Sequence, residues 1–538
     1  MGLLFKEENE PVVDLYKDSY KDLAIEELVC AVTPEEEERQ FFRQVFHKMP
    51  VRFETVRYRQ EILRDFLLQE EFCTKIEEAV KKLKILYDFK SHARSELKKA
   101  VIWELIEQLN ELEIYVDVIG QLEQIFTTHP PVSEGLCAFA SRIHALVADG
   151  SMELLKQDLD RIRVDMSRTK SLKLGVNLDL NLLPEEVMLL EMGPEPCVQK
   201  DSLFSKLMRY ANAKSQQGGL VYRMAEDSMM NPKANPRYQG ADPMMQTLTR
   251  EVEKMLSKLV KNIRATLRKY IDMDGYFVVG LLDELKYYVH MAKFGRKLQK
   301  EGYTICMPEI SGDVDELKIS RLYNLRLAIK GEKEIVPNDF CFSKKEKIYI
   351  LTGPNRGGKT VLTQGIGLAA FMAGMGLFVT AGAYTGYLIR QIYTQFPADE
   401  NETISYGRLG EEAMRLQEMV KEMEDRSLVL LNETYSTTCA SDGLYLAKDL
   451  LRILKLLSPA VVYNTHIHEL AMQTEQMNAW EGESDIVSII MEIVDGKNTF
   501  RVLKSQPDGS SYARNIALKF GVTYEQMLEQ IKDREKKA

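Results

Sequence analysis

The chain has 538 residues, 45% of them apolar and 28% charged, and a net charge of −10. That length exceeds what one hydrophobic core supports, and the composition is that of a folded protein, not of a disordered one. The acidic balance gives no general attraction to nucleic acid, so any such surface must be local. The seven cysteines lie far apart with no C-x-x-C pair, which argues against a zinc site and for a reduced, cytoplasmic setting. The opening M-G-L-L-F-K-E-E-N-E turns acidic at once and carries no signal-type apolar core.

Residues 1–50 read as an N-terminal helical extension and 51–305 as a helical domain. From Val13 to about Asp149, apolar residues recur at three- and four-residue spacing with charges of both signs between them, the pattern of packed, solvated helices. Ser171 to Met192 changes period, and two strand-like runs flank L-N-L-L-P, predicting a small β hairpin over 171–192. The tract 193–243, with Q-Q-G-G and N-P-K-A-N-P-R, reads as an irregular connector. Helix is expected again from Met244 to about Gly302. Within it Lys254, Lys258, Lys261, Arg264, Arg268 and Lys269 recur near helical spacing opposite a stripe of Leu256, Leu259, Ile263 and Leu267. This is the best basic face in the chain; a solvated helix face is the plainer reading and DNA phosphate binding the sharper one.

Residues 306–538 alternate strands and helices on both sides of a glycine-rich loop, predicting a P-loop ATPase domain with a mainly parallel sheet. The overall expectation is therefore a multidomain α and α/β protein. The loop itself is Ile348–Thr360, I-Y-I-L-T-G-P-N-R-G-G-K-T. Strand-forming residues run into G-x-x-x-x-G-K-T, so Gly353, Pro354, Asn355, Arg356, Gly357 and Gly358 turn backbone N–H groups toward phosphate oxygens. Lys359 adds a charge and the Thr360 hydroxyl is placed for Mg²⁺, with ATP the expected ligand. A glycine turn with an incidental lysine is the bland alternative; a strand before and a helix after argue against it.

Thr360 to Ile389 is uncharged for thirty residues, long enough to span a bilayer. Its glycines, its start inside the loop and the strand-like run after it favour a buried helix and strand in a covered parallel sheet, with no membrane role. Farther on, the apolar strand Leu428–Leu431 ends in Asn432-Glu433. Glu433 is placed to orient or deprotonate water, and Asn432, where an Asp is usual, would help hold Mg²⁺ without adding charge. V-V-Y-N-T-H-I-H-E-L puts His466 at another strand end, in reach of a γ-phosphate; His468 reads as an exposed helix-start residue.

G-P-N-R-G-G-K-T, N-E-T-Y-S-T-T-C-A-S-D-G (432–443) and N-T-H-I-H-E-L resemble the ATPase domain of the MutS mismatch-repair family, whose usual forms are G-P-N-M-G-G-K-S-T, D-E-x-G-R-G-T-S-T-x-D-G and A-T-H-x-x-E-L. The tail at 510–522 and V-P-N-D at 336–339 are similar to family segments too, and R-Y-R-Q-E-I-L-R-D-F (57–66) and L-D-E-L-K-Y-Y (282–288) resemble its core and lever helices. The resemblance implies an ATP-dependent, DNA-binding homodimer, with nucleotide sandwiched between two ATPase domains and DNA embraced at the far end of lever helices. Asn338 would contact the nucleotide, while Ser405, Arg408, Gly410, Ser436 and Asp442 would reach it from the partner. Ile335 stands where an adenine-stacking aromatic is common. G-R-L-G-E (407–411) and Ser436 depart from the partner signature, and nothing resembles the family's mismatch-reading domain. The expected function is thus an ATPase clamping on mismatched, branched or distorted DNA; a nucleotide-gated, dimerising switch with little hydrolysis is the alternative.

Overall fold

The computed structural model describes residues 2–90, 102–195, 254–270 and 277–537, apart from positions 8, 169, 179, 181–183, 255, 313, 398–406, 437, 496 and 508–519. It divides into two compact units. One comprises Met1–Val80, Ile125–Phe139 and Leu281–Ala538, the other Lys81–Gln124 and Ala140–Gly280.

The first unit is built on a six-stranded sheet of β1 (Glu346–Thr352), β2 (Gln391–Gln395), β3 (Ser427–Asn432), β4 (Ala460–Asn464), β5 (Asp485–Val494) and β6 (Lys497–Lys504). Its order is β2-β3-β4-β1-β5-β6, parallel except for the β5–β6 pair. Strands β2, β3 and β4 are buried at every residue, which explains their unbroken apolar runs: both sheet faces are covered. The helices Gly407–Glu422 and Ala440–Leu457 cover one face through Leu416, Met419, Leu450, Leu451 and Leu454. A smaller sheet of Glu309–Ile310, Ala383–Gly386, Leu317–Leu322 and Asn338–Phe342 lies in the same unit.

The helix that follows the glycine loop, Lys359–Gly374, packs on β3 and β4. It is buried along nearly its whole length, so charge is excluded from all its sides, and that is the reason for the long uncharged stretch. Its outer side is covered by residues from the first fifty. The Phe46 ring meets Phe371 edge-on at 5.4 Å, Gln364 Nε2 donates to Asp22 O at 2.6 Å, and Met49 reaches Gly374. Those fifty residues form the helices Ser19–Asp22, Ile25–Val32 and Glu36–Phe46. They also hold an antiparallel ribbon, Val12–Asp14 with Lys48–Pro50, that helical periodicity does not reveal. No helix among the described residues is long and apolar enough to cross a membrane.

The second unit is helical around Leu105, Leu109, Leu155, Leu159, Ile263 and Leu267. The expected hairpin is present as Ser171–Leu178 antiparallel to Pro184–Gly193. The connector lies outside the described residues from 196 onward, as does the stretch from Met244 to 253.

One expectation needs correction. The helical run expected to reach Gly302 is broken at Leu281, between Phe277–Gly280 and Leu282–Lys300. Asp283 and Glu284 in the first turn of the last piece suit a helix N-terminus there. The strand-like run after the uncharged stretch is a strand over Gln391–Gln395. Finally, β5 and β6 went unread although D-I-V-S-I-I-M-E-I-V and N-T-F-R-V-L flank Asp495-Gly496, a strong hairpin signal.

Candidate functional site

Strand β1 ends at Thr352, and the loop beyond it needs backbone that most residues avoid. Gly353 has φ 142°, Arg356 61° and Gly358 95°. A Cβ on Gly353 would lie 2.9 Å from Met491 Cβ, and one on Gly358 3.3 Å from Phe500 Cδ1, so these two positions are closed to side chains by packing as well as by conformation. Lys359 starts the buried helix and is only 5% exposed. Its ammonium donates to Gly353 O at 3.1 Å and Pro354 O at 3.2 Å. Burial pulls its pKa below the ordinary lysine value, and Glu433 opposes that shift. A cation desolvated in this way has the most to gain from a polyanion.

The parallel register sets three strand ends side by side. Leu351 of β1 pairs with Asn464 of β4, and Asn464 with Asn432 of β3. Asn432 Oδ1 accepts from Thr360 Oγ1 at 3.1 Å and from Asn464 Nδ2. One residue on, the Glu433 N–H donates to Asn464 O at 2.8 Å, and its carboxylate accepts from His466 Nε2 at 2.8 Å. Glu433 and Tyr435 both have positive φ, 56° and 63°. That conformation costs a non-glycine residue about 1–2 kcal/mol and is held here by the surrounding bonds. Thr352 Oγ1, Thr434 Oγ1 and Asn464 Oδ1, at or just past these strand ends, are buried without hydrogen-bond partners.

The glycine loop, Thr360 and Glu433 open into a cleft of about 470 Å³, within the range of small-molecule sites. Pro354 to Leu362 and Glu433 form one wall, and Tyr323, Leu327, Ile335 and Val336 form another. Met491 and Phe500 complete it from β5 and β6. Sequence reasoning missed these two because they reach the loop only through strand pairing; the unread hairpin was the available signal. Gly353, Pro354, Asn355, Arg356, Gly357, Gly358, Lys359, Thr360 and Glu433 are thus brought together as expected from spacing, with His466 bonded to Glu433.

Asn338 also lines the cleft, but its amide is committed to the sheet. Its Nδ2 donates to Phe500 O at 3.0 Å and its Oδ1 accepts from Val502 N at 2.8 Å. It fixes the Phe500 strand. Among the partner-signature residues, Ser405 and the Arg408 side chain lie outside the described residues. Gly410 lies in the helix Gly407–Glu422, and exposed Ser436 and Asp442 sit in the turn after β3 and the first turn of the next helix. That turn and the signature helix are joined where Glu412 Oε2 accepts from the Tyr435 N–H at 3.2 Å. The basic face belongs to the second unit: Lys258 and Lys261 are exposed, and the Arg268 side chain is undescribed. Lys269 is already paired with Asp158 at 2.8 Å, so that face is less free than its spacing suggested.

A glycine loop between the central strand and a buried helix, with an amide, a carboxylate and an imidazole on adjacent strand ends, defines a P-loop protein. The family description MutS domain V matches residues 349–528, and MutS2 N-terminal domain matches 51–301. The chain belongs to the MutS family. It is 32% identical over 204 residues to an Endonuclease MutS2 of Carboxydothermus hydrogenoformans, covering 37% of this chain and 25% of that protein. It is also 28% identical over 193 residues to a DNA mismatch repair protein MutS of Streptococcus agalactiae, covering 35% and 22%. A further Endonuclease MutS2, of Caldicellulosiruptor saccharolyticus, is 28% identical over 218 residues, covering 40% and 27%. Each match spans about a quarter of the relative's length.

Proposed function

We propose that this chain binds ATP with Mg²⁺ and hydrolyses it slowly as a homodimer, coupling nucleotide state to a grip on mismatched, branched or distorted DNA in repair or recombination. The observation that carries the proposal is the convergence of Lys359, the Thr360–Asn432 bond and the Glu433–His466 pair on one cleft. Residues 353–360 would cradle the phosphates. Thr360, Asn432 and Glu433 would hold Mg²⁺, whose charge offsets that developing on the transferred phosphoryl group. Glu433 orients water and accepts its proton; His466 fixes the carboxylate's direction and is a positioning residue. Asn432 contributes an oxygen without charge, hence the slow turnover. The names of the relatives, two endonucleases and a mismatch-repair protein, motivate DNA as the partner. Exposed Lys258 and Lys261 are the best local anchors for its phosphates.

A second reading, a dimerising switch with negligible hydrolysis, draws on one specific observation: Asn432 Oδ1 is already shared by two donors. Steady-state phosphate release, with Glu433→Ala as background and with duplex, mismatched and junction DNA added at low salt, separates the two. DNA-stimulated turnover excludes the switch; no DNA binding with any nucleotide removes the first reading. Lys359→Ala should abolish ATP binding in calorimetry, and unchanged affinity would remove the site from both.

A further inference from the structure

The helix Phe53–Leu68 carries Arg59 into the interior of the first unit, where it is 1% exposed. Its Nε donates to Leu4 O at 2.9 Å, and its guanidinium lies 4.5 Å from the centre of the Phe5 ring. Both Nη atoms are buried and have no hydrogen-bond partner. No carboxylate among the described residues forms an ion pair with it. Glu284, the acidic group nearby, is used by the N–H groups of Leu3 and Leu4, the latter at 3.0 Å. A second buried donor, the Tyr287 hydroxyl, is also without a partner. Uncompensated buried cations are among the costliest groups a fold can hold.

The guanidinium is not loosely placed. Gly376, just past the helix that follows the glycine loop, makes room for its stem: a Cβ there would lie 2.7 Å from Arg59 Cβ. Arg59 lines a pocket of about 710 Å³ that shares no residue with the nucleotide cleft. Leu4, Phe5, Phe41 and Val45 give it apolar walls, and exposed His47 and Lys48 stand among the residues around it. Arg43, also on the wall, is already taken by Glu26 and Glu36. Two idle donors in a planar fork match the geometry of an oxyanion, and the walls match an apolar or aromatic body.

We propose that this pocket is a second ligand site, which takes a small molecule bearing a phosphate or carboxylate head on the Arg59 fork and an apolar body against Phe5 and Phe41. Phe5 covers the guanidinium, so loading swings its ring aside. Lys48 adds attraction at the mouth. The site is independent of the nucleotide reading and is tested without it.

The experiment is thermal unfolding of the full chain carrying Lys359→Ala, which removes phosphate binding at the glycine loop. Probes are inorganic phosphate, phenyl phosphate and benzoate, against chloride at matched ionic strength. At about a hundred times its dissociation constant, a bound probe should raise Tm by a few degrees in a saturable way. Stronger binding of phenyl phosphate assigns a phosphate ligand, and stronger binding of benzoate a carboxylate. Arg59→Met, which removes the charge while keeping most of the volume, should abolish the shift. Lys48→Glu, an exposed change, keeps the test open should Arg59→Met fail to fold: the half-saturating concentration should rise about tenfold. The proposal is overturned if no probe exceeds chloride, if the shift survives Arg59→Met, or if Lys48→Glu leaves it unchanged.

Discussion

Asn432 is where the site's chemistry turns on one atom. Its Oδ1 takes hydrogen bonds from Thr360 and Asn464, and an aspartate oxygen could accept both without rearrangement while adding a full charge beside the Thr360 hydroxyl. A charge a few ångströms from a divalent cation in a partly desolvated site is worth about 1–4 kcal/mol. Asn432→Asp is therefore expected to tighten Mg²⁺ binding at least about tenfold and to raise turnover. Magnesium titrations of phosphate release check this, and an unchanged midpoint means the side chain is not near the metal. At this scale the sequence was informative because loop chemistry is local. Gly353 to Thr360 stand in one unbroken run, and Glu433 and His466 each follow an apolar strand. Phe500 and Met491 were not legible, because their place in the cleft depends on β5 crossing beside β1.

Two elements carry testable consequences. In the helix Lys359–Gly374, a Cβ on Gly367 would run into Leu23 and Leu430, one from the first fifty residues and one from β3. Gly367→Ala should cost about 1–3 kcal/mol in denaturant unfolding despite the better helix propensity of alanine. A neutral result would mean the helix is not gripped from both sides. In the second unit, burial pushes the Glu111 carboxyl up to about 7, with Glu107 adding repulsion. Its folded value lies above its unfolded one, so the native state holds the extra proton. Stability therefore falls as pH rises from about 4.5 to 7 and stays reduced above that. Glu111→Gln should flatten this dependence and stabilise the protein at pH 8 by about 1–2 kcal/mol, discounted for the water that reaches the group. Urea titrations at pH 5 and 8 test the sign. The period-3.6 pattern revealed the helix of Glu111, and the uncharged run after the glycine loop revealed the other, but neither could tell which neighbour each would press against.

For the whole molecule, the reading of the site predicts a change of assembly. Glu433→Ala with ATP and Mg²⁺ should double the mass seen by light scattering, while Lys359→Ala should stay at one mass with or without nucleotide; identical masses in all conditions would remove the sandwiched-nucleotide dimer. The chain's larger organisation was only partly legible. Alternating strands and helices marked the half that holds the glycine loop, because parallel sheets impose that rhythm. The compact units instead gather segments far apart in sequence, and helical periodicity carries no record of which distant segment fills a groove.

The burial of the helix Lys359–Gly374 beneath residues 22–49 also bears on biosynthesis. Its cover leaves the ribosome roughly 300 residues ahead of it, a wait of tens of seconds at about 5–20 residues per second. During that interval the side of the amino-terminal helices that meets Phe371 has no partner, and what then emerges is an uncharged run of thirty residues. Chaperone demand during translation should therefore peak as residues 360–389 appear, and it should become acute in any variant that weakens Phe46 or Leu23.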